Sequence, residues 1–245
     1  PHTLVRPCRA YRCEVAKMQN PDAYNANKHI LPPLAFVSCG RDALPTVFFA
    51  AETPSGSFYF QKDRIGVEIT SRDQKAAAKT RIVLELSFSG AREDVAIKGE
   101  GEHRGTLNYV IGGNAPKWRP DLLIYEKLKY EGIWDGVDLE LFGDTCGLKF
   151  NWMLKKADAV RLIRLHWEGI DGISLSEEGS LLIRHSLVVL ADTAPTAWQT
   201  IRGRKQKVGC AYCLLGERDF GFALFGDFDP DLPLIIDPVI PCLAL

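Results

Sequence analysis

Residues 81–88 read Arg-Ile-Val-Leu-Glu-Leu-Ser-Phe, and their apolar side chains recur at every second position. With Val83 as the one exception, an extended chain would place the apolar residues on one face: Ile82, Leu84, Leu86 and Phe88. A helix would scatter the same residues around its circumference. Residues 148–154, Leu-Lys-Phe-Asn-Trp-Met-Leu, repeat the pattern. Both stretches therefore predict strands with one buried and one solvated face.

Short apolar, strand-like segments separated by turns extend over most of the chain from residue 47 onward. Turn signals containing Gly, Pro, Asp or Ser recur about every 8 to 12 residues, the spacing of sandwiches and barrels. No stretch offers an amphipathic helix of three turns. We therefore predict an all-β, antiparallel fold of tandem β-sandwich-like lobes of short strands with little helix. The further predicted strands are 47–50, 57–60, 65–69, 161–167, 173–175, 180–183, 197–201, 207–215 and 219–224.

The domain organisation is predicted from changes in composition. Residues 1–33 are irregular, rich in turn formers at 20–27 and closed by Pro32-Pro33, which is typical of an N-terminal arm. We place a first β lobe at residues 34–145 and a second at 146–245, with one continuous domain as the alternative.

Composition excludes some classes of partner. The 245 residues carry a net charge of −1, which gives no electrostatic reason to expect nucleic acid or an anionic membrane as partner. No apolar run approaches the roughly 18 residues that a membrane span needs. The chain begins at Pro1 rather than Met, which we interpret as a removed leader or a fragment.

Seven cysteines leave at least one thiol without an intramolecular disulfide partner. Cys210 and Cys213 have the spacing of a metal hairpin or a redox pair, and Cys8 and Cys13 are also within the range of zinc ligands. The apolar, strand-like surroundings of Cys210 equally favour a small buried residue. Zinc ligation, disulfides and reduced core cysteines all remain open.

Two groups of acidic residues are candidate sites, one for metal binding and one for catalysis. Asp227, Asp229 and Asp231 alternate in a loop and could offer carboxylates to calcium, although the acidic twelfth position of an EF-hand loop is missing. The alternative is a polar turn shaped by prolines. Asp138 and Glu140 would share one strand face and could serve glycoside hydrolysis, or simply form a solvated face.

A run dense in aromatic residues and glycines, from Gly105 to Gly143, holds no complete catalytic set. Four of its aromatic side chains could form an exposed platform for a sugar, or equally belong to the core. These are Trp118, Tyr125, Tyr130 and Trp134. The five histidines are dispersed, and none has metal-ligand spacing to another.

The same run carries a resemblance to a family. Its motif comprises Gly105, Asn108-Tyr109, Gly112, Lys117-Trp118, Tyr125, Tyr130, Gly132 and Gly136-Val-Asp-Leu139. Further matches are Thr53-Pro-Ser-Gly56, Ala194-Pro195, Trp198-Gln199, Phe222-Ala-Leu224 and Pro233-Leu-Ile-Ile-Asp-Pro-Val239. Over about residues 34 to 240, their order resembles the N-terminal domain of secreted bacterial proteins with SBBP-type β-propeller repeats. Ser38-Cys39-Gly40-Arg41 departs from the Asn-x-Gly-Gln-like signature common in that family.

The resemblance implies a secreted or surface-exposed β-rich module, and it supplies no catalytic residues. We therefore expect a non-catalytic structural or adhesive module outside the cell that associates with copies of itself or other surface proteins through its arm and edge strands. No cofactor is expected, apart from the calcium and zinc candidates. The alternatives are a carbohydrate-binding module that uses the aromatic platform and a hydrolase that uses Asp138 or Glu140.

Overall fold

The computed structural model describes residues 34–39, 46–53, 56–72, 79–104, 123–144, 147–237 and 239–241. These residues form 18 strands and one 3-10 helix, Ala157–Leu162, within a compact unit that spans Pro32–Leu245. The predicted arm at 1–33 lies outside the described residues. The prediction of an all-β fold with little helix is confirmed.

The strands are β1 Phe36–Ser38, β2 Phe49–Thr53, β3 Gly56–Phe60, β4 Arg64–Arg72, β5 Lys79–Phe88, β6 Ala96–Arg104, β7 Leu123–Trp134, β8 Val137–Asp144, β9 Gly147–Leu154, β10 Leu165–Glu168, β11 Gly172–Leu175, β12 Leu181–His185, β13 Val188–Asp192, β14 Thr196–Ile201, β15 Arg204–Leu214, β16 Asp219–Phe225, β17 Leu234–Asp237 and β18 Val239–Pro241.

Fifteen of these strands share one antiparallel sheet. Its order is β1-β2-β3-β4-β5-β10-β16-β15-β14-β17-β9-β8-β7-β6, and β18 pairs with β9. Because β1 also pairs with β7, through Phe36 opposite Tyr125, the hydrogen-bonded path returns on itself. β11, β12 and β13 form a separate three-stranded sheet.

Strands from both sides of residue 145 lie in the same large sheet. β10 pairs with β5, where Trp167 is opposite Leu86, and β9 pairs with both β8 and β17. The hydrogen bonding therefore passes between the two predicted lobes at two places, β5–β10 and β8–β9.

The two-residue periodicity predicts burial correctly. Every predicted apolar position of β5 and β9 is at most 3% exposed, whereas Val83 is 61% exposed. Trp152 of β9 lies at the centre of the core, with its ring centroid 6.0 Å from that of Phe88 and 5.8 Å from that of Trp134. The alternation thus brings the aromatic residues of several strands together.

The predicted strand at 161–167 is wrong in its first half. Arg161 and Leu162 belong to the 3-10 helix, and the strand begins only at Leu165. The amides of Ala157 and Asp158 donate to the carbonyls of Leu232 and Pro230 at 2.9 and 3.1 Å. These partners come from a distant loop, so the local sequence gives no sign of them.

The sequence predicts a hairpin with a turn at Arg202-Gly203-Arg204 between the strands 197–201 and 207–215. The observed turn is tighter, because β15 already begins at Arg204, which is opposite Ile201. Arg202 and Gly203 both have positive φ, 50° and 75°, as a type I′ turn requires. Arginine pays a steric cost in this conformation that asparagine largely avoids.

We therefore expect Arg202→Asn to raise the free energy of unfolding by about 0.5–1 kcal/mol. Gly203→Ala should lower it by about 1 kcal/mol, since a Cβ is strained at that φ. Urea unfolding of both variants beside the wild type measures the two shifts, and effects of the same sign would contradict the turn assignment.

Candidate functional site

Four polar side chains of the large sheet lie in a row on its outward face. Strand register places Asp219 of β16, His166 of β10, Ser87 of β5 and Arg64 of β4 next to one another. The inward neighbours of these residues are apolar and buried, so the alternation of each strand turns the polar side chains outward.

His166 lies between two carboxylates. Its Nδ1 is 2.9 Å from Asp219 Oδ1, and its Nε2 is 3.1 Å from Glu168 Oε2. The hydrogen bonds to Glu168 and Asp219 raise the pKa of His166 above its ordinary value, although burial acts in the opposite direction. Because both ring nitrogens are engaged, His166 ties β10 to β16 rather than presenting a free base.

Ion pairs continue the row along β4 and β5. Arg64 pairs with Asp63 at 2.8 Å and with Glu85 at 2.6 Å, and its hydrogen bond lowers the pKa of Asp63. Arg81 pairs with Glu68 at 2.6 Å. Pairs on an exposed sheet face each add little stability, but they fix which strands lie side by side.

The raised pKa of His166 predicts a pH-dependent stability. Its contribution is fully present below the ordinary histidine pKa of about 6.5 and is lost as pH rises through the folded value. We expect the wild type to be more stable than His166→Gln by a larger margin at about pH 6 than at about pH 9. Urea unfolding at both pH values measures this margin, and His185→Gln is the control. A margin that grows with pH would contradict the assignment.

The predicted aromatic platform is only partly within the described residues. Trp118 lies outside them. Tyr130 and Trp134 are 0% and 5% exposed, and they donate to the carbonyls of Gln61 at 3.0 Å and Ser89 at 3.1 Å. Both are core residues and offer no exposed face to a sugar. Tyr125 is half-buried, and its ring packs edge-on against Phe49.

The predicted calcium loop is held by protein contacts. Buried Gln199 donates to the carbonyls of Asp229 and Leu232 at 2.7 and 3.2 Å and accepts from the Asp229 amide at 3.0 Å. Asp229 Oδ1 accepts from the Asp231 amide, and Asp231 pairs with Lys156 at 2.8 Å. Asp227 is exposed. Two of the three carboxylates thus stabilise the loop itself.

Cys210 and Cys213 do not form a chelating pair. They lie three residues apart on β15, so their side chains leave opposite faces of the strand. Both are free thiols, as is Cys39, and burial raises the pKa of Cys210 to about 12. Within the described part of the chain, no group of three or more His, Cys, Asp or Glu is arranged to hold a metal ion. Cys8 and Cys13 lie outside it.

The predicted hydrolase pair lies on β8 as expected, with both side chains half-buried. Asp138 Oδ1 accepts from the Gly132 amide at 2.7 Å, beside the irregular register between Tyr130 and Trp134. Glu140 lies opposite Lys129. Asp138 therefore holds the backbone of β7 where its pairing with β8 is irregular.

A buried polar cluster was missed by sequence reasoning. Asp192 at the end of β13 is 6% exposed and lines a small apolar cavity with Trp167. Burial, together with the nearby Asp192 carboxyl, raises the pKa of Tyr212 well above its ordinary value. The only sequence signal is an acid that closes the apolar run Val188-Val-Leu-Ala-Asp192.

No helix in the described residues has the length and apolar character to cross a membrane.

Comparison with known proteins gives a match at the level of a family. No curated protein and no solved structure matches the chain. Residues 36–239, most of the sequence, match the family described as Domain of unknown function (DUF7948), and the chain therefore belongs to that family.

Proposed function

We propose that this chain is a non-catalytic structural module of a secreted or cell-surface bacterial protein. One observation carries the proposal: candidate catalytic groups are engaged in holding the backbone or joining strands. His166 joins β10 to β16, Asp138 holds the β7 backbone at its irregular register, and Asp229 holds its own loop. Such contacts suit a rigid sheet rather than groups that must accept and release protons.

The resemblance to the N-terminal domain of SBBP-type repeat proteins supports the location outside the cell. Labelling of intact source cells with an antibody against the chain tests it. We expect surface labelling without permeabilisation. Labelling that requires permeabilised cells would contradict an extracellular role.

Stability measurements test the structural role. Catalytic groups are often kept at a cost in stability, so replacing them commonly stabilises an enzyme. We expect Asp138→Asn, Asp229→Asn and His166→Gln each to lower the melting temperature, with exposed Glu93→Gln as the control. A clear rise in any of the three would point to a functional site. Turnover of a glycoside panel that is lost in Asp138→Asn and Glu140→Gln would favour the hydrolase alternative.

We further propose contacts with other copies through the arm and the edge strands. β6 ends the order of the large sheet, and on its outer side no described strand pairs with it. Its Lys98 and Glu100 are exposed, and charges of this kind restrict which strands can pair with an edge. Light scattering of the chain with and without residues 1–33 tests the contact. A strict monomer in both cases would remove this part of the proposal.

A further inference from the structure

The tip of the β14–β15 hairpin concentrates positive charge. Residues 201–207 read Ile-Arg-Gly-Arg-Lys-Gln-Lys, four cations in a chain whose net charge is −1. All four side chains are exposed: Arg202, Arg204, Lys205 and Lys207. None of them forms an ion pair with a carboxylate in the described part of the chain.

Two of these lysines share the outward face of the sheet with a tryptophan. Trp198 is opposite Lys207, and Thr200 is opposite Lys205. Lys205 Nζ lies 3.5 Å from the centroid of the Trp198 ring, a close cation–π contact that orients the ammonium over the indole. Trp198 is half-buried, so part of its ring remains accessible.

A second aromatic ring lies on the same face. Phe225 of β16 is opposite Gly209 of β15 and is 58% exposed. A Cβ at Gly209 would lie 2.4 Å from the Phe225 ring, so the ring packs this closely against the strand only because this residue is glycine. We call Trp198, Lys205, Lys207 and Phe225 the basic–aromatic strip.

The turn beside the strip is conformationally strained. Arg202 has a φ of 50° and is the only non-glycine residue with positive φ in the described ranges. Asparagine or glycine would suit this position better. Strain that is retained together with an exposed positive charge motivates a binding role for the hairpin.

We propose that the basic–aromatic strip binds an acidic polysaccharide. The C–H face of a sugar ring packs on the exposed Phe225 ring. Its carboxylate or sulfate groups accept hydrogen bonds from Lys207, from Arg202 and from Lys205, whose ammonium is held over the Trp198 indole. Nucleic acid is the less suitable polyanion. Its binding depends on many phosphate contacts along a strand, whereas the strip and Arg202 together supply only three cations.

Calorimetric titration of the whole chain with polygalacturonate, which carries one carboxylate per sugar, tests the proposal. We expect Lys205→Gln/Lys207→Gln and Trp198→Ala each to weaken binding about tenfold or more. The charge-matched control Lys62→Gln/Lys155→Gln replaces two exposed lysines elsewhere and should retain wild-type binding. Neutral dextran should not bind. Thermal unfolding checks that every variant is folded.

Three results would overturn the proposal. The first is no binding by the wild type, and the second is an equal loss in the charge-matched control. The third is binding of a single-stranded oligonucleotide at least as tight as that of polygalacturonate, with no effect of Trp198→Ala. The structural role proposed above does not depend on the outcome, because its test is the stability of variants outside the strip.

Discussion

Trp152→Ala is expected to lower the free energy of unfolding by about 4 kcal/mol, the largest effect of any single substitution considered. Trp152 is 1% exposed, and its ring contacts those of Phe88, Trp134 and Phe222. Alanine would remove the ring that contacts residues of three other strands, β5, β7 and β16. It would leave a cavity that the close-packed neighbours cannot fill.

Guanidinium unfolding with a fluorescence-independent signal, such as circular dichroism, measures the effect of Trp152→Ala. For a chain of this size, the melting temperature should fall by roughly 10 °C. Trp198→Ala makes the same chemical change on the outward face and should cost about 1 kcal/mol or less, because that ring is partly solvated already. Equal losses in the two variants would contradict the placement of Trp152 at the centre of the core.

Gln199→Ala is expected to lower the free energy of unfolding by about 2–3 kcal/mol. The 1% exposed Gln199 side chain makes three hydrogen bonds to the backbone of the loop that contains Asp229 and Leu232. The same loop supplies the carbonyls that receive the first amides of the 3-10 helix. Loss of the amide should therefore release the loop and the helix together.

Chemical unfolding and limited proteolysis together measure the effect of Gln199→Ala. We expect faster cleavage between residues 226 and 233 than in the wild type. Gln206→Ala is the control, since Gln206 lies opposite Gln199 in the register but is exposed, and it should change stability by about 0.5 kcal/mol at most. Unchanged cleavage of the loop would show that Gln199 is not what holds it.

The strands with one buried face were predictable from the sequence because the alternation is written in consecutive residues. β5 and β9 meet that condition, and so does the β14–β15 hairpin with its Arg202-Gly203 turn. The sequence was also sufficient to predict that Cys210 and Cys213 point to opposite faces of their strand. A strand periodicity of two and a spacing of three residues place them on different faces.

Other features depend on residues far apart in the chain. The 3-10 helix at Ala157–Leu162 takes in the first two residues of the predicted strand at 161–167. Its first amides donate to the carbonyls of Pro230 and Leu232, far along the chain. Trp134 is buried and Trp198 partly exposed, although both are aromatic residues of strands. The strands that pack around each tryptophan decide whether its side chain is exposed to solvent. The local sequence around Trp134 or Trp198 does not show which strands these are.

The pairing of β1 with both β2 and β7, together with that of β5 with β10, has a consequence for biosynthesis. In a chain emerging from the ribosome, β5 cannot form its pairing with β10 before residues 165–168 have been made. Likewise, β9 cannot form its pairings with β17 and β18 before those two strands have been made. Contacts of such long sequence separation fold slowly, on the order of milliseconds to seconds or longer. The nascent polypeptide should therefore remain incompletely folded, and open to chaperones or translocation machinery, until nearly all of this region has been synthesised.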